Sequence, residues 1–172
     1  MELISEGYLE QQKILHKNQN YGVASKQVAH LVDDLIVKFN VKSLCDYGAG
    51  KQLLRKSITQ TVENYYPYDP AFAEYGEARE ADLVCCIDVL EHIEPDLLDN
   101  VLNDLQRITT NKAFFTIHTG PAAKVLPDGR NAHLIQKPIL WWQMKIKEKF
   151  IIDNFHQSGV TVFLYLSAMN NR

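Results

Sequence analysis

Apolar positions in the first forty residues recur at helical spacing, and two helices are predicted there. In the second, Ser25 stands where a cap is wanted, and Val28, Ala29, Val32, Leu35, Ile36 and Phe39 share one face. The polar stretch from His16 to Gly22, ending in Tyr21-Gly22, reads as the loop between them. From Val41 the period shortens. Runs at 42–46, 62–69, 82–88 and 112–118 read as strands, with helices at about 51–59 and from Pro95 onward. The run DLVCCID is apolar throughout its interior, as a strand covered on both faces must be. Residues 119–137 form a long loop rich in glycine, proline, arginine and histidine, and loops of that length are usually functional or disordered. A helix at 138–149 follows, and 151–156 with 160–168 form a closing hairpin about Ser158-Gly159.

Strands alternating with helices predict an α/β fold with a mostly parallel central sheet and a C-terminal antiparallel hairpin. The 172 residues suit one domain, with N-terminal helices at 1–40 and an α/β core at 41–172. Composition is that of a soluble globular protein, and no apolar run approaches the ~20 residues needed to cross a bilayer. The N-terminus has early acidic residues and no signal-like apolar core, so no membrane partner and a cytoplasmic location are expected. The three cysteines, Cys45, Cys85 and Cys86, form no CxxC pair and read as small strand hydrophobes; no metal site is expected. A net charge of −3 gives no general attraction to nucleic acid.

The strongest local signal is Asp46-Tyr47-Gly48-Ala49-Gly50, between a buried strand and a helix start. Glycines there let the backbone turn sharply and approach a ligand, while the helix start offers free N–H groups. Asp69 ends the next strand, where a carboxylate can accept both hydroxyls of a ribose. A dinucleotide would want a third glycine where Leu53 stands, and Asp46 would oppose its phosphates. A carboxylate at the turn suits a cationic group instead, or simply caps the turn.

Over about residues 41–168 the chain resembles the class I S-adenosylmethionine-dependent methyltransferases. The residues carrying the resemblance are LCDYGAG, YDP and DLVCCIDVLEHIEP. It implies a Rossmann-like methyltransferase fold, S-adenosylmethionine as cofactor, and a methionine portion lined by Asp46, Gly48 and Gly50. It further implies a ribose held by Asp69, beside Pro70, and an adenine and sulfur bordered by Asp88 and Val89; Tyr21 is placed to close over the cofactor. Gln52 stands where the family often has a third glycine, and 71–81 is too short for a full helix, strand and adenine loop. The third strand is therefore expected to be short or missing.

Candidate proton acceptors are His92, His118 and His133, since imidazole titrates near neutral pH and two of the three follow strand exits. Arg130 and Asn131 in the long loop, with Trp141 after it, suit an anionic or heteroaromatic acceptor; the alternative is a loop folded on itself and tryptophans in a helix core. The DGRNAHL segment and paired tryptophans are similar to those of small phage and bacterial methyltransferase-like proteins. The strand exit reads DVLE, unlike the DPPY-type or Pro-Cys turns of DNA methylases, although Lys137, Lys145, Lys147 and Lys149 near the tryptophans leave nucleic-acid contact open. The expected activity is methyl transfer to a small-molecule or nucleotide-like acceptor. The alternatives are cofactor binding without transfer, and degradation of S-adenosylmethionine.

Overall fold

A computed structural model describes residues 1–19 and 21–169; Asn20, in the loop between the first two helices, lies outside the described residues. The helices are α1 (Glu6–His16), α2 (Ser25–Phe39), α3 (Leu53–Ser57), α4 (Leu98–Ile108) and α5 (Ile139–Lys147). The strands are β1 (Ser43–Tyr47), β2 (Asn64–Tyr68), β3 (Ala81–Ile87), β4 (Thr109–His118), β5 (Phe150–Ser158) and β6 (Thr161–Ala168). They form one sheet in the order β2-β1-β3-β4-β6-β5, in which β2, β1, β3 and β4 are parallel and β6 is antiparallel to both neighbours.

Period-two alternation explains how both faces are covered. Cys45, Tyr47, Val84, Cys86, Phe115 and Ile117 pack with the apolar stripe of α4 and with Trp142 and Ile146 of α5. Leu44, Leu83, Cys85, Ile87 and Phe114 pack with Val28, Val32, Leu35 and Ile36 of α2 and Leu54 of α3. The cysteines accordingly serve both layers and stay as free buried thiols.

No strand separates β2 from β3 in sequence. Residues 71–80 contain one 3₁₀ turn at Ala73–Tyr75, so β2 is left as the edge of the sheet, paired to β1 with Pro67 opposite Asp46.

Several boundaries differ from the periodicity. The expected helix at 51–59 shrinks to α3 because Gln52 adopts a left-handed backbone, φ 55°, and Ile58 is already extended. Ser25 is the first helical residue and caps nothing; Ser5 is the capping side chain, accepting the Tyr8 N–H at the start of α1. The closing turn falls on Gly159-Val160, with Gly159 supplying φ 59°. The 119–137 loop is packed: Leu126 and Ala132 are buried against Tyr8 of α1, and Val125 bridges to Asn131.

Candidate functional site

β1 ends at Tyr47, and the chain turns through Gly48 and Gly50, with φ of 80° and 46°. Gly48 and Ala49 both donate their N–H groups to the Tyr68 carbonyl, at 2.7 and 2.9 Å. Gly50 donates to Asp69 Oδ2 at 2.9 Å, and Ala71 donates to Oδ1 at 2.8 Å. The glycine turn and the acid after β2 are thus tied into one unit, each Asp69 oxygen keeping acceptor capacity. Behind it, the Tyr65 hydroxyl donates to Asp46 Oδ2 at 2.6 Å.

These groups face a cavity of about 400 Å³ at the carboxyl ends of β1, β2 and β3. In open α/β sheets this crevice, where the chain turns to opposite sides of β1, is where ligands bind. Tyr21, Asp46, Gly48, Asp69, Pro70, Asp88 and Val89 line it, and so do His92, His118 and His133. Gly50 lies just beneath the lining, where a Cβ would come 3.1 Å from His16 Cε1.

Arg130, Asn131 and Trp141 are placed elsewhere. Arg130 pairs with Asp128 at 2.7 Å, and Asn131 bonds both backbone groups of Ala122, pinning the loop. Trp141 packs edge-on against the fully buried Trp142, with Lys137 over its ring. Lys145 is paired with Asp99 and Glu148.

The roof over the cavity includes α1, which the motif reading passed over. Tyr8, Gln12 and His16 lie four residues apart on one face of that helix, and this spacing was the available signal. Tyr8 donates its hydroxyl to the His92 carbonyl at 2.6 Å; Gln12 Nε2 donates to the Tyr8 oxygen at 2.6 Å, and Tyr21 donates to Gln12 Oε1 at 3.0 Å. His16 sits edge-on to Tyr21 and Phe72, with Nε2 3.9 Å from Asp69 Oδ2.

Burial controls the charges here. It pushes the Asp46 carboxyl up to about 7, against the opposing pull of the Tyr65 hydrogen bond. It also raises Asp69 and lowers His16, so the two approach each other as neutral groups more readily than either would in water. Glu91, fully buried behind the cavity wall, is held well above the usual carboxylate range by burial and then by Asp88. Burial and the neighbouring His133 bring His92 down to about 3.

The three cavity histidines form one cluster, with ring centres 4.7 Å apart for His92–His133 and 4.9 Å for His118–His133. Asp88, in the left-handed region at φ 52°, accepts the Thr116 hydroxyl at 2.6 Å, and its N–H points back to Thr116.

The fold is that of the class I S-adenosylmethionine-dependent methyltransferases. The N-methyltransferase NodS from Bradyrhizobium japonicum WM9, solved with S-adenosylhomocysteine, superposes with a TM-score of 0.63 at 8% identity, covering 95% of this chain and 99% of its own. An O-methyltransferase family protein from Burkholderia thailandensis gives 0.62 at 13% identity; it covers all of this chain, which spans 65% of that protein. Magnesium protoporphyrin IX methyltransferase from Synechocystis PCC 6803, with S-adenosylmethionine bound, gives 0.58 at 14% identity over 96% of this chain and 92% of its own. No family model matches the sequence, and no curated protein matches it. Among the described residues no helix is long and apolar enough to cross a membrane.

Proposed function

We propose that the chain binds S-adenosylmethionine in this cavity and transfers its methyl group to a small-molecule or nucleotide-like acceptor entering at the histidine end. The observation that carries the reading is Asp46. It is a carboxylate buried at the cavity, donated to by Tyr65 and near a second carboxylate, Asp69. Such a group is costly to ionise unless a cation arrives, and the ligand's ammonium or sulfonium is one. Asp69 accepts ribose hydroxyls alongside its two backbone donors, Gly48 and Gly50 let the backbone approach the methionine portion, and Asp88, Val89 and Pro70 border the adenine and sulfur. Tyr21 closes the cavity from the N-terminal side.

Methyl transfer from a sulfonium is an in-line displacement. The acceptor lone pair forms a bond to the methyl carbon while the C–S pair returns to sulfur, leaving a neutral thioether. The protein's contribution is to hold donor and acceptor in line and keep water out. Where the acceptor carries a proton that must leave, the His92, His118 and His133 rings are the groups at that end of the cavity.

The test is calorimetry with S-adenosylmethionine and S-adenosylhomocysteine, then incubation of methyl-labelled cofactor with small-molecule and nucleotide pools. Binding by the wild type, weakened by Asp46→Ala and Asp69→Ala, together with label in an acceptor, supports transfer. Binding without label transfer supports a binding role; cofactor loss without a labelled acceptor supports degradation. Absence of binding at millimolar ligand removes the reading.

A further inference from the structure

Glu91 has no part in that reading. It is fully buried, Oε1 accepts the His118 backbone N–H at 2.7 Å, and Oε2 has no hydrogen-bond partner. Buried acceptors are almost always satisfied, so one left over beside a cavity points to a ligand.

Its neighbours are prepared for one. His92 Nδ1 lies 2.8 Å from the Ala132 carbonyl, and His133 Nδ1 lies 2.7 Å from the Gly120 carbonyl. A carbonyl can only accept, so both rings donate from Nδ1 and keep the lone pair on Nε2. That is a metal-binding tautomer of imidazole, and a backbone carbonyl behind the ring is the usual partner that fixes it. One donor atom from each of Glu91, His92 and His133 lies within 4.8 Å of the other two.

We propose that Glu91, His92 and His133 form a binding site for a divalent transition-metal cation. Donors at about 2.1 Å from a tetrahedral zinc stand about 3.4 Å apart, so the three side chains need to close by no more than about 1.5 Å. Two imidazoles with one carboxylate suit zinc, manganese or iron(II); magnesium and calcium prefer all-oxygen shells. Because His92 and His133 line the cavity, the remaining coordination opens onto it. That an acceptor oxygen completes the shell there rests on the methyl-transfer reading; the cation site does not.

The experiment titrates chelator-stripped protein with Zn²⁺ and Mn²⁺ alone by calorimetry, and with Co²⁺ by visible absorption, each beside a separate S-adenosylmethionine titration. The expected result is about one cation per chain, Co²⁺ ligand-field bands, and affinity at least about tenfold weaker in Glu91→Gln and His133→Gln. Should Glu91→Gln fail to fold, as judged by circular dichroism, His133→Gln and His92→Gln decide. No saturable binding by the wild type, or titrations unchanged in folded variants, overturns the site. A chain that binds Zn²⁺ but not S-adenosylmethionine keeps the cation site and loses the cofactor reading; the reverse loses the cation site alone.

Discussion

Gly48 and Val89 touch across the tops of β1 and β3: a Cβ built on Gly48 would lie 2.3 Å from Val89 Cγ2. Contact and backbone, with φ at 80°, both demand glycine. Gly48→Ala is expected to lose about 2–4 kcal/mol from backbone strain plus overpacking, and to abolish S-adenosylmethionine binding. Adding Val89→Ala should restore the steric share only. Thermal melts of the two single variants and the double variant measure the split.

Asp46 sets a pH dependence. Its carboxyl lies at about 7 in the folded chain against an ordinary 3.8, so between those values the folded state holds a proton that the unfolded chain releases. Stability of the ligand-free protein from this group is therefore greatest below about 4 and falls as pH rises through about 7. A cationic ligand binds the ionised form, so S-adenosylmethionine affinity should climb up to tenfold per pH unit below about 7 and level off above it. Calorimetry from pH 5.5 to 8 reads this slope. In Asp46→Asn the slope should disappear.

Gln52 occupies the left-handed region at φ 55° before α3, and its side chain meets Arg55 at 3.5 Å and hydrogen-bonds with Tyr75. Gln52→Gly should stabilise by about 0.5–1 kcal/mol, raising the melting temperature by about 1–4 °C. An unchanged or lower melting temperature would show that the strain is relieved in some other way.

Tyr8 fastens α1 to the cavity wall through the His92 carbonyl, and Gln12, one turn along the same helix, donates to its hydroxyl. Tyr8→Phe leaves a buried carbonyl and an amide without their partner, at a cost of about 1–3 kcal/mol. Hydrogen exchange should accelerate selectively in 6–16. If protection there stays at the wild-type level, the hydroxyl is not what holds the helix down.

The sequence revealed the parts governed by local rules. The DLVCCID run alternates between two covered faces, and its apolar interior identified a central strand without any knowledge of its partners. The 71–81 segment, too short for a helix, strand and loop, implied a third strand that is short or missing. The glycine turn and the acids of β1 and β2 were visible because strand, turn and carboxylate are close in the chain. What lay hidden is tertiary. His16 reaches Asp69 only after α1 folds back over the sheet; its spacing from Tyr8 and Gln12 marks a shared helix face but not that partner. Arg130 and Asn131 carry ligand-type chemistry in the sequence, and only the fold shows that they bond Asp128 and Ala122 within the same loop. Glu91 was legible only as part of the strand-exit motif; its complete burial, beside the 119–137 loop whose Ile135 N–H bonds to its carbonyl, is tertiary.

Pro67 has a bearing on how the molecule behaves in a crowd. Asn64 donates to Lys42 and the Tyr68 carbonyl accepts from Gly48, so even-numbered residues of β2 face β1 and Pro67 turns toward the open side. Having no N–H, it removes a donor from the middle of that unpaired border, and a stranger's strand cannot zip along it without a gap. The chain dispenses with a seventh strand, and the border left in its place is poorly suited to taking one from a neighbour.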